Sequence, residues 1–333
     1  MNYFKNKNIV ITGAAGLIAS NLTKRLMELE VNKIIVTGRN EEKLKNVFQE
    51  YLKLDNFEIC AGDISKSFPE TKENIDIIFH AASPIGRDII SKTPMSVIEP
   101  NIFGTINCLE FLKKQKQEKN INGRLFIFSS STVYFNDSDE NKIFTEEDTG
   151  ISCNLNATNI AYAESKRMSE TLAGAYLTQY GVDSVIGRFS YVYGYSHFSP
   201  NAVFYEFADT ALKGEDIIIR ASGLAKRDNI YIDDAVEGIL CVCEKGESGN
   251  AYNISSGENE DSFLSVDEIA NVIAKCVKDE YGIAVNVRYS NEKPRKGGMI
   301  LDNKKLMALG WKPKWNMLKG TAETIKTIIS KRK

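Results

Sequence analysis

A doubly wound α/β fold, a parallel sheet wrapped by helices with a smaller C-terminal α/β lobe, is predicted by three features of the 333-residue chain. Short apolar runs alternate with longer amphipathic stretches, the pattern of repeated βα units. The runs are continuous Val, Ile and Phe rather than alternating polar and apolar, as strands buried on both faces require. A glycine-bearing turn follows the first run at once, in "NIVITGAAGLIAS" over 8–20.

The first strand, "NIVIT" (8–12), leads into Gly13, Gly16 and Ala19, a G-x-x-G-x-x-A turn that opens an amphipathic stretch over 16–29. This is the layout of a dinucleotide cradle. Gly13 permits the tight turn, Gly16 lets backbone approach a pyrophosphate, and Ala19 packs helix closely on sheet. The helix N-terminus offers unpaired N–H groups to the phosphate. The second strand, "KIIVTG" (33–38), ends in Thr37, Gly38 and Arg39, where a carboxylate would normally hold the adenosine ribose diol. Arg39 there accommodates a 2′-phosphate and tilts the choice between NAD and NADP toward NADP; a solvated loop arginine or a stack on adenine are the alternatives.

A helical stretch over 40–53 and the strands "FEICAGD" (57–63) and "DIIFHAAS" (76–83) come next. Helical 101–116, the strand "RLFIFSSS" (124–131), helical 161–180 and "DSVIGRF" (183–189) complete the alternation. After about residue 190 the pattern turns irregular and rich in aromatics and Asn, then passes through "EDIIIRASG" to a return strand, "DNIYIDD". These changes assign 1–189, with a return segment 228–262, to a Rossmann-type dinucleotide-binding domain, and 190–227 with 263–333 to a smaller lobe.

Composition narrows the function. With 42 basic against 44 acidic residues and a formal charge of −2, the chain has no net pull toward nucleic acid or membrane. No apolar run approaches the roughly 18 residues of a membrane span, and "MNYFKNKNIVITGAAG" moves straight into a strand, so a cytoplasmic location is expected. Six cysteines (Cys60, Cys108, Cys153, Cys241, Cys243, Cys276) lack C-x-x-C spacing and read as buried free thiols. Two histidines, His80 and His197, make a His-based metal site or a Ser-His-Asp triad a poor fit, and no metal is expected.

"AYAESK" (161–166) places Tyr162 and Lys166 four apart, on one face of a helix. An ammonium near a phenol stabilises the phenolate, which a free tyrosine of pKa about 10 forms poorly at neutral pH. With the Gly-rich turn, "AGDI" (61–64), "HAAS" (80–83), "NIFGTINCLE" (101–110), "SSSTVY" (129–134) and "YAESK" (162–166) in this order, the chain resembles the extended short-chain dehydrogenase/reductase family of nucleotide-sugar epimerases and dehydratases. The resemblance covers nearly the whole chain. It implies that Tyr162 is the general acid/base, that Lys166 lowers its pKa and binds the nicotinamide ribose, and that Ser130, three before Val133, binds the reacting hydroxyl. It implies a cofactor, NAD or NADP, held along Gly13, Ala15, Gly16, Leu17 and Ile18. Asp63 and Ile64 then contact adenine, Ala81, Ala82 and Ser83 line the groove, and Asn101 supports the site. A turn-forming Asp63, close-packing alanines and an N-capping Asn101 are the plainer alternatives.

The residues after Ser130 bear on the reaction. The family's 4,6-dehydratases carry Asp-Glu there and its decarboxylases usually Ser-Glu, whereas this chain has Ser131 and Thr132. An uncharged Thr132 cannot serve as the base that C5 deprotonation demands. The expectation is therefore an NAD(P)-dependent nucleotide-sugar epimerase, at C4, acting through a transient 4-keto sugar. An NADPH-dependent 4-keto-sugar reductase and a dehydratase or decarboxylase remain alternatives, as does a cofactor-binding protein without catalysis. By the same resemblance, "KRDNIYIDD" nominates Arg227 and "PRKGGM" nominates Arg295 for the nucleotide diphosphate, while Tyr191 stands where many members carry Asn against the sugar phosphate. Ser131 and Thr132 complete the expected substrate contacts. The helices of 101–116 and 161–180 are expected to pair in a homodimer, with Leu109, Leu112, Leu172 and Leu177 fitting that interface or packing within the chain.

Overall fold

The protein is described by a computed structural model that covers residues 2–134, 140–150, 159–198, 202–219, 224–289 and 297–332. Its elements run β1 (Asn8–Thr12), α1 (Leu17–Met27), β2 (Lys33–Thr37), α2 (Glu41–Val47), β3 (Phe57–Ile59), β4 (Ile77–His80), α3 (Arg87–Lys92), α4 (Met95–Lys119) and β5 (Arg124–Ser130), then a 3-10 turn at Ser131–Val133. They continue with β6 (Asn141–Phe144), α5 (Ile160–Tyr180), β7 (Asp183–Phe189), β8 (Tyr191–Tyr193), α6 (Val203–Leu212), β9 (Ile217–Ile219), β10 (Lys226–Tyr231) and α7 (Ile232–Lys245). The last are β11 (Ala251–Ile254), β12 (Phe263–Ser265), α8 (Val266–Tyr281), β13 (Val287–Tyr289), β14 (Gly298–Leu301), α9 (Lys304–Ala308) and α10 (Met317–Arg332).

Seven strands form one sheet in the order β11-β7-β5-β4-β1-β2-β3. The pairs β1/β2, β1/β4, β2/β3 and β4/β5 are parallel. Winding outward from β1 in one direction and from β4 in the other leaves a switch point between them, at whose carboxyl end such folds hold their ligands. Every residue of β4 is buried, as are all of β5 but the first, which is why these strands read as unbroken apolar runs. The seventh strand, β11, arises from the short "AYNI" and carries no such signature.

Contacts divide the chain into two units. The first comprises Met1–Val133, Ser152–Arg188 and Ile239–Tyr252. Its core joins Val10, Ile35, Ile78, Leu125 and Ile127 of the sheet to Cys108, Leu109 and Leu112 of α4 and Ala173 of α5. Of the leucines considered for a dimer, Leu109 and Leu112 therefore pack inside the chain. Helix α4 starts at Met95, ahead of the expected 101, and carries Pro100 within it. Asn101 consequently lies in the helix interior, which removes the N-cap alternative.

The second unit comprises Tyr134–Ile151, Phe189–Gly238 and Asn253–Lys333. Strand β10 pairs antiparallel with β12 and parallel with β14 and β8, and β14 pairs with β6. The return segment expected at 228–262 is thus shorter, 239–252, because β10 has its partners in the second unit. Asp228 of β10 shows the same attachment: its carboxylate accepts from Ser256 N–H and Oγ at 3.2 and 2.9 Å and from Leu301 N–H at 3.0 Å.

Candidate functional site

The turn after β1 is built around Gly13, whose φ of +62° lies where side-chain-bearing residues are strained. A Cβ there would lie 2.6 Å from Ala82 Cα and 2.8 Å from Ala81 O. The turn and the "HAAS" segment therefore meet backbone to backbone, bringing Gly13, Ala81 and Ala82 together. Helix α1 opens on Gly16 with no side-chain cap and no acidic residue in its first turn. The N–H groups of Leu17 and Ile18 are left without intrahelical partners and carry the positive end of the helix dipole. The hydroxyl of Ser83, in the same groove segment, is buried with no hydrogen-bond partner among the described residues.

Asp63 follows β3. Its Oδ1 accepts from Ser65 N–H at 3.0 Å and Ser65 Oγ at 2.7 Å, a closed Asx turn. Partial burial works against its ionisation, but the Ser65 bonds and the charges of Arg39 and Lys66 prevail and hold the carboxyl below its ordinary range. Arg39 itself is exposed beside Asn40, which caps α2 through Lys43 N–H at 2.8 Å. Ile64 turns the other way: its side chain belongs to the core, and its carbonyl accepts from Asn107 Nδ2 at 2.7 Å.

The end of β5 and the first turns of α5 bring Ser130, Tyr162 and Lys166 together. Lys166 is buried; its Nζ donates to Phe128 O at 2.6 Å and lies 5.7 Å from the Tyr162 ring centroid. Ser130 Oγ accepts from Thr132 N–H at 3.2 Å. Burial raises the Tyr162 phenol above its usual value, and a hydrogen bond with Ser130 pulls it back. Burial pushes Lys166 down to about 7, against the upward pull of Glu170. The acidified phenol expected from the Tyr/Lys spacing is thus absent from the protein alone, because burial disfavours the charge on both partners. The Thr132 hydroxyl is buried and unpartnered among the described residues; Ser131 is half-buried at the start of the 3-10 turn.

Two residues escaped the sequence reading. Glu170 stands one turn beyond Lys166, and Arg188 of β7 grips it, Nε to Oε1 at 3.0 Å and Nη2 to Oε2 at 2.8 Å. Ser129 Oγ donates to Glu170 Oε1 at 2.5 Å. Ser129 is thereby taken up by the ion pair while its neighbour Ser130 is left for Tyr162. The i,i+4 spacing of Lys166 and Glu170 was the one visible signal; Arg188 had none. Asn101 Nδ2 donates to Ser165 Oγ at 2.9 Å, and Ser165 Oγ to Tyr162 O at 3.0 Å, tying α4 to the turn that carries the tyrosine.

In the second unit, Arg227 lies over the Tyr191 ring, its guanidinium carbon 4.9 Å from the centroid. Burial raises the Tyr191 phenol, and the charge and hydrogen bond of Arg227 lower it. The parallel pairing of β8 with β10 sets Tyr191 against Asn229, two residues from Arg227. Arg295 lies outside the described residues, as does Cys153. The five described cysteines are not joined in disulfides, Cys108, Cys243 and Cys276 being buried and Cys60 and Cys241 partly so. Among the described residues no group of three or more His, Cys, Asp or Glu is placed to hold a metal ion, and no helix is long and apolar enough to cross a membrane.

A parallel sheet with a glycine turn at its switch point, and beside it a Ser, Tyr and Lys on one strand end and one helix, defines a nucleotide-dependent α/β enzyme. The family model described as the NAD dependent epimerase/dehydratase family matches residues 9–255, and the chain belongs to this family. UDP-glucuronic acid decarboxylase 6 of Arabidopsis thaliana is 29% identical over 319 residues, 95% of this chain and 87% of that protein. The dTDP-D-glucose 4,6-dehydratase of Homo sapiens is 30% identical over 332 residues, 96% of this chain and 89% of that protein. The structure of UDP-glucose 4-epimerase from Thermotoga maritima, solved with UDP-glucose, matches with a TM-score of 0.78 at 22% identity, covering 98% of this chain and 100% of that one. The three names span three reactions on nucleotide sugars. The site fits the family's nicotinamide dinucleotide: the Gly13 turn lies where a Cβ would collide with backbone, the first turn of α1 has no side-chain cap, and the Ser83 hydroxyl is unsatisfied among the described residues.

Proposed function

We propose that the protein is an NAD(P)-dependent nucleotide-sugar 4-epimerase that works through a transient 4-keto sugar. The observation that carries this reading is that the two positions after Ser130 carry no carboxylate: 131 and 132 are Ser and Thr, and Glu170, one turn from Lys166, has both oxygens engaged by Arg188 and Ser129. Water loss or a step at C5 needs a second acid/base; inversion at C4 needs one.

In this reading Tyr162 takes the proton of the C4 hydroxyl and later returns it. Ser130, already bonded to Tyr162, donates to the same oxygen as charge develops there. Lys166, fixed on Phe128 O, supplies positive charge beside the phenol when protonated. When bound along Gly13, Leu17, Ile18, Asp63, Ala81, Ala82 and Ser83, the nicotinamide dinucleotide would supply the hydride acceptor and, oxidised, a further positive charge. The Thr132 hydroxyl, a donor without a partner among the described residues, is assigned to the sugar, with Ser131. Arg227 and Arg295 are assigned to the diphosphate, where a guanidinium binds oxygens in pairs. Arg227 stacked on Tyr191 is a prepared phosphate ligand.

A second reading, an NADPH-dependent 4-keto-sugar reductase, rests on Arg39 standing where the ribose acid is expected. A homodimer is proposed through α4 and α5, where Phe103 and Met168 are exposed at 49% and 45%; a monomeric mass in solution would contradict it.

The deciding experiment incubates UDP-, GDP-, CDP- and dTDP-sugars with the enzyme in D2O and follows them by mass spectrometry and NMR. A new diastereomer of unchanged mass without solvent deuterium supports the epimerase. Loss of water or CO2 overturns it, and turnover only with NADPH and a keto sugar selects the reductase. Tyr162→Phe should lower turnover by about 10²–10⁴-fold, the range of general acid/base catalysis, with cofactor binding retained; a near wild-type rate would refute its role.

A further inference from the structure

We infer that His80 is a positioning residue, the central link of a buried hydrogen-bond chain that joins the Gly13 turn to the helix carrying Tyr162. The inference rests on the dinucleotide-binding reading of that turn. His80 closes β4 and is only 4% exposed. Thr12, the residue before Gly13, accepts Ala82 N–H on its Oγ1 at 3.2 Å. Its own hydrogen then remains for Nδ1 of His80, at 2.8 Å. The other ring nitrogen, Nε2, lies 3.1 Å from Pro100 O and must be the one that carries hydrogen, since a carbonyl can only accept. A neutral imidazole has one N–H and one acceptor, and this arrangement uses both.

The chain continues through α4. Asn101, next to Pro100, donates to Ser165 Oγ, which donates to Tyr162 O. The links therefore run from Ala82, against which Gly13 is packed, to the backbone of the tyrosine. Two features keep the ring in this state. Burial and the charge of Lys166 push the imidazole down to about 3, so it is neutral. One turn after Pro100, a Cβ at Gly104 would lie 2.8 Å from His80 Cε1, so glycine leaves the space the ring fills. A histidine that merely filled core volume would need neither a defined tautomer nor a partner on each nitrogen.

The test uses the whole chain labelled with ¹⁵N-histidine, in which only two imidazoles, His80 and the exposed His197, give signals. His80 is expected to show the neutral Nε2–H tautomer from about pH 5 to 8, a range in which an unperturbed imidazole gains its proton. An Nδ1–H tautomer or an imidazolium signal overturns the inference without any variant. Two substitutions then separate positioning from packing by the Kd for NAD and for NADP, whichever wild type binds more tightly. His80→Phe keeps a ring without either bond and should weaken binding at least tenfold. His80→Asn keeps an acceptor near Nδ1 for Thr12 and should recover most of that loss. Equal affinities in wild type and both folded variants overturn the positioning role. Should His80→Phe fail to fold, a His80→Asn Kd raised as far as that of Thr12→Val would equally refute it. If wild type binds neither dinucleotide, the cofactor reading falls, and the tautomer signal still decides the hydrogen-bond chain.

Discussion

Glu170→Gln removes one charge from a pair that the fold has enclosed. The side chains of Arg188 and Glu170 are 14% and 12% exposed, and they meet in two bonds of 2.8 and 3.0 Å. Glutamine keeps an oxygen for Ser129 and for one guanidinium nitrogen, but the arginine loses the carboxylate charge that its Nε and Nη2 both hold. Losing one member of a buried pair typically costs 3–5 kcal/mol. The residual exposure places this pair at the low end, about 3 kcal/mol. Urea denaturation followed by circular dichroism reads the loss directly, as a lower midpoint at unchanged slope. Replacing both partners, E170Q with R188M, removes the buried arginine charge as well and should restore most of the loss, since a neutral pair carries less desolvation cost. A Glu170→Gln protein within about 1 kcal/mol of wild type, or a double variant no better than the single, would refute the reading of this pair as the enclosed charge that backs Lys166.

Lys166 supplies a pH signature. Its folded pKa, about 7, lies below the unfolded value, so between these two pH values the unfolded chain binds the extra proton and stability rises with pH. Relative to Lys166→Met, the cofactor-free wild type should gain stability from about pH 7 upward; parallel curves would contradict a buried, depressed lysine. Gly13→Ala forces a side chain into a left-handed φ and onto Ala82 backbone; dinucleotide Kd measured by fluorescence titration should rise at least about tenfold, the equivalent of 1.4 kcal/mol. Asp228→Asn replaces one of the two carboxylate oxygens that together accept three hydrogen bonds with an NH2 that cannot accept; thermal unfolding should show a loss of about 1–3 kcal/mol, and an unchanged midpoint would show that these bonds contribute nothing. Arg227→Ala should raise KM for a nucleotide sugar with little change in dinucleotide Kd, which separates the second unit's role from that of the Gly13 turn.

The sequence by itself determined whatever depends on local geometry. Unbroken apolar runs fit only strands covered on both faces, so six of the seven strands of the main sheet were legible. A glycine that must hold φ at +62°, and a Tyr/Lys pair on one helix face, are local rules with local signatures. The alternation of βα units and the order of motifs did the rest, up to the family. Only the tertiary structure decided which groups meet across the chain. Ser129 finds Glu170 from 41 residues away and Arg188 finds it from 18, and no periodicity encodes such partners. A cap remained the plainer alternative for Asn101, expected to support the site, until helix α4 proved to begin six residues earlier. The Tyr162 phenol looked acidic from spacing alone, yet burial raises it, because desolvation depends on everything packed around a group and spacing reports only its neighbours on one helix.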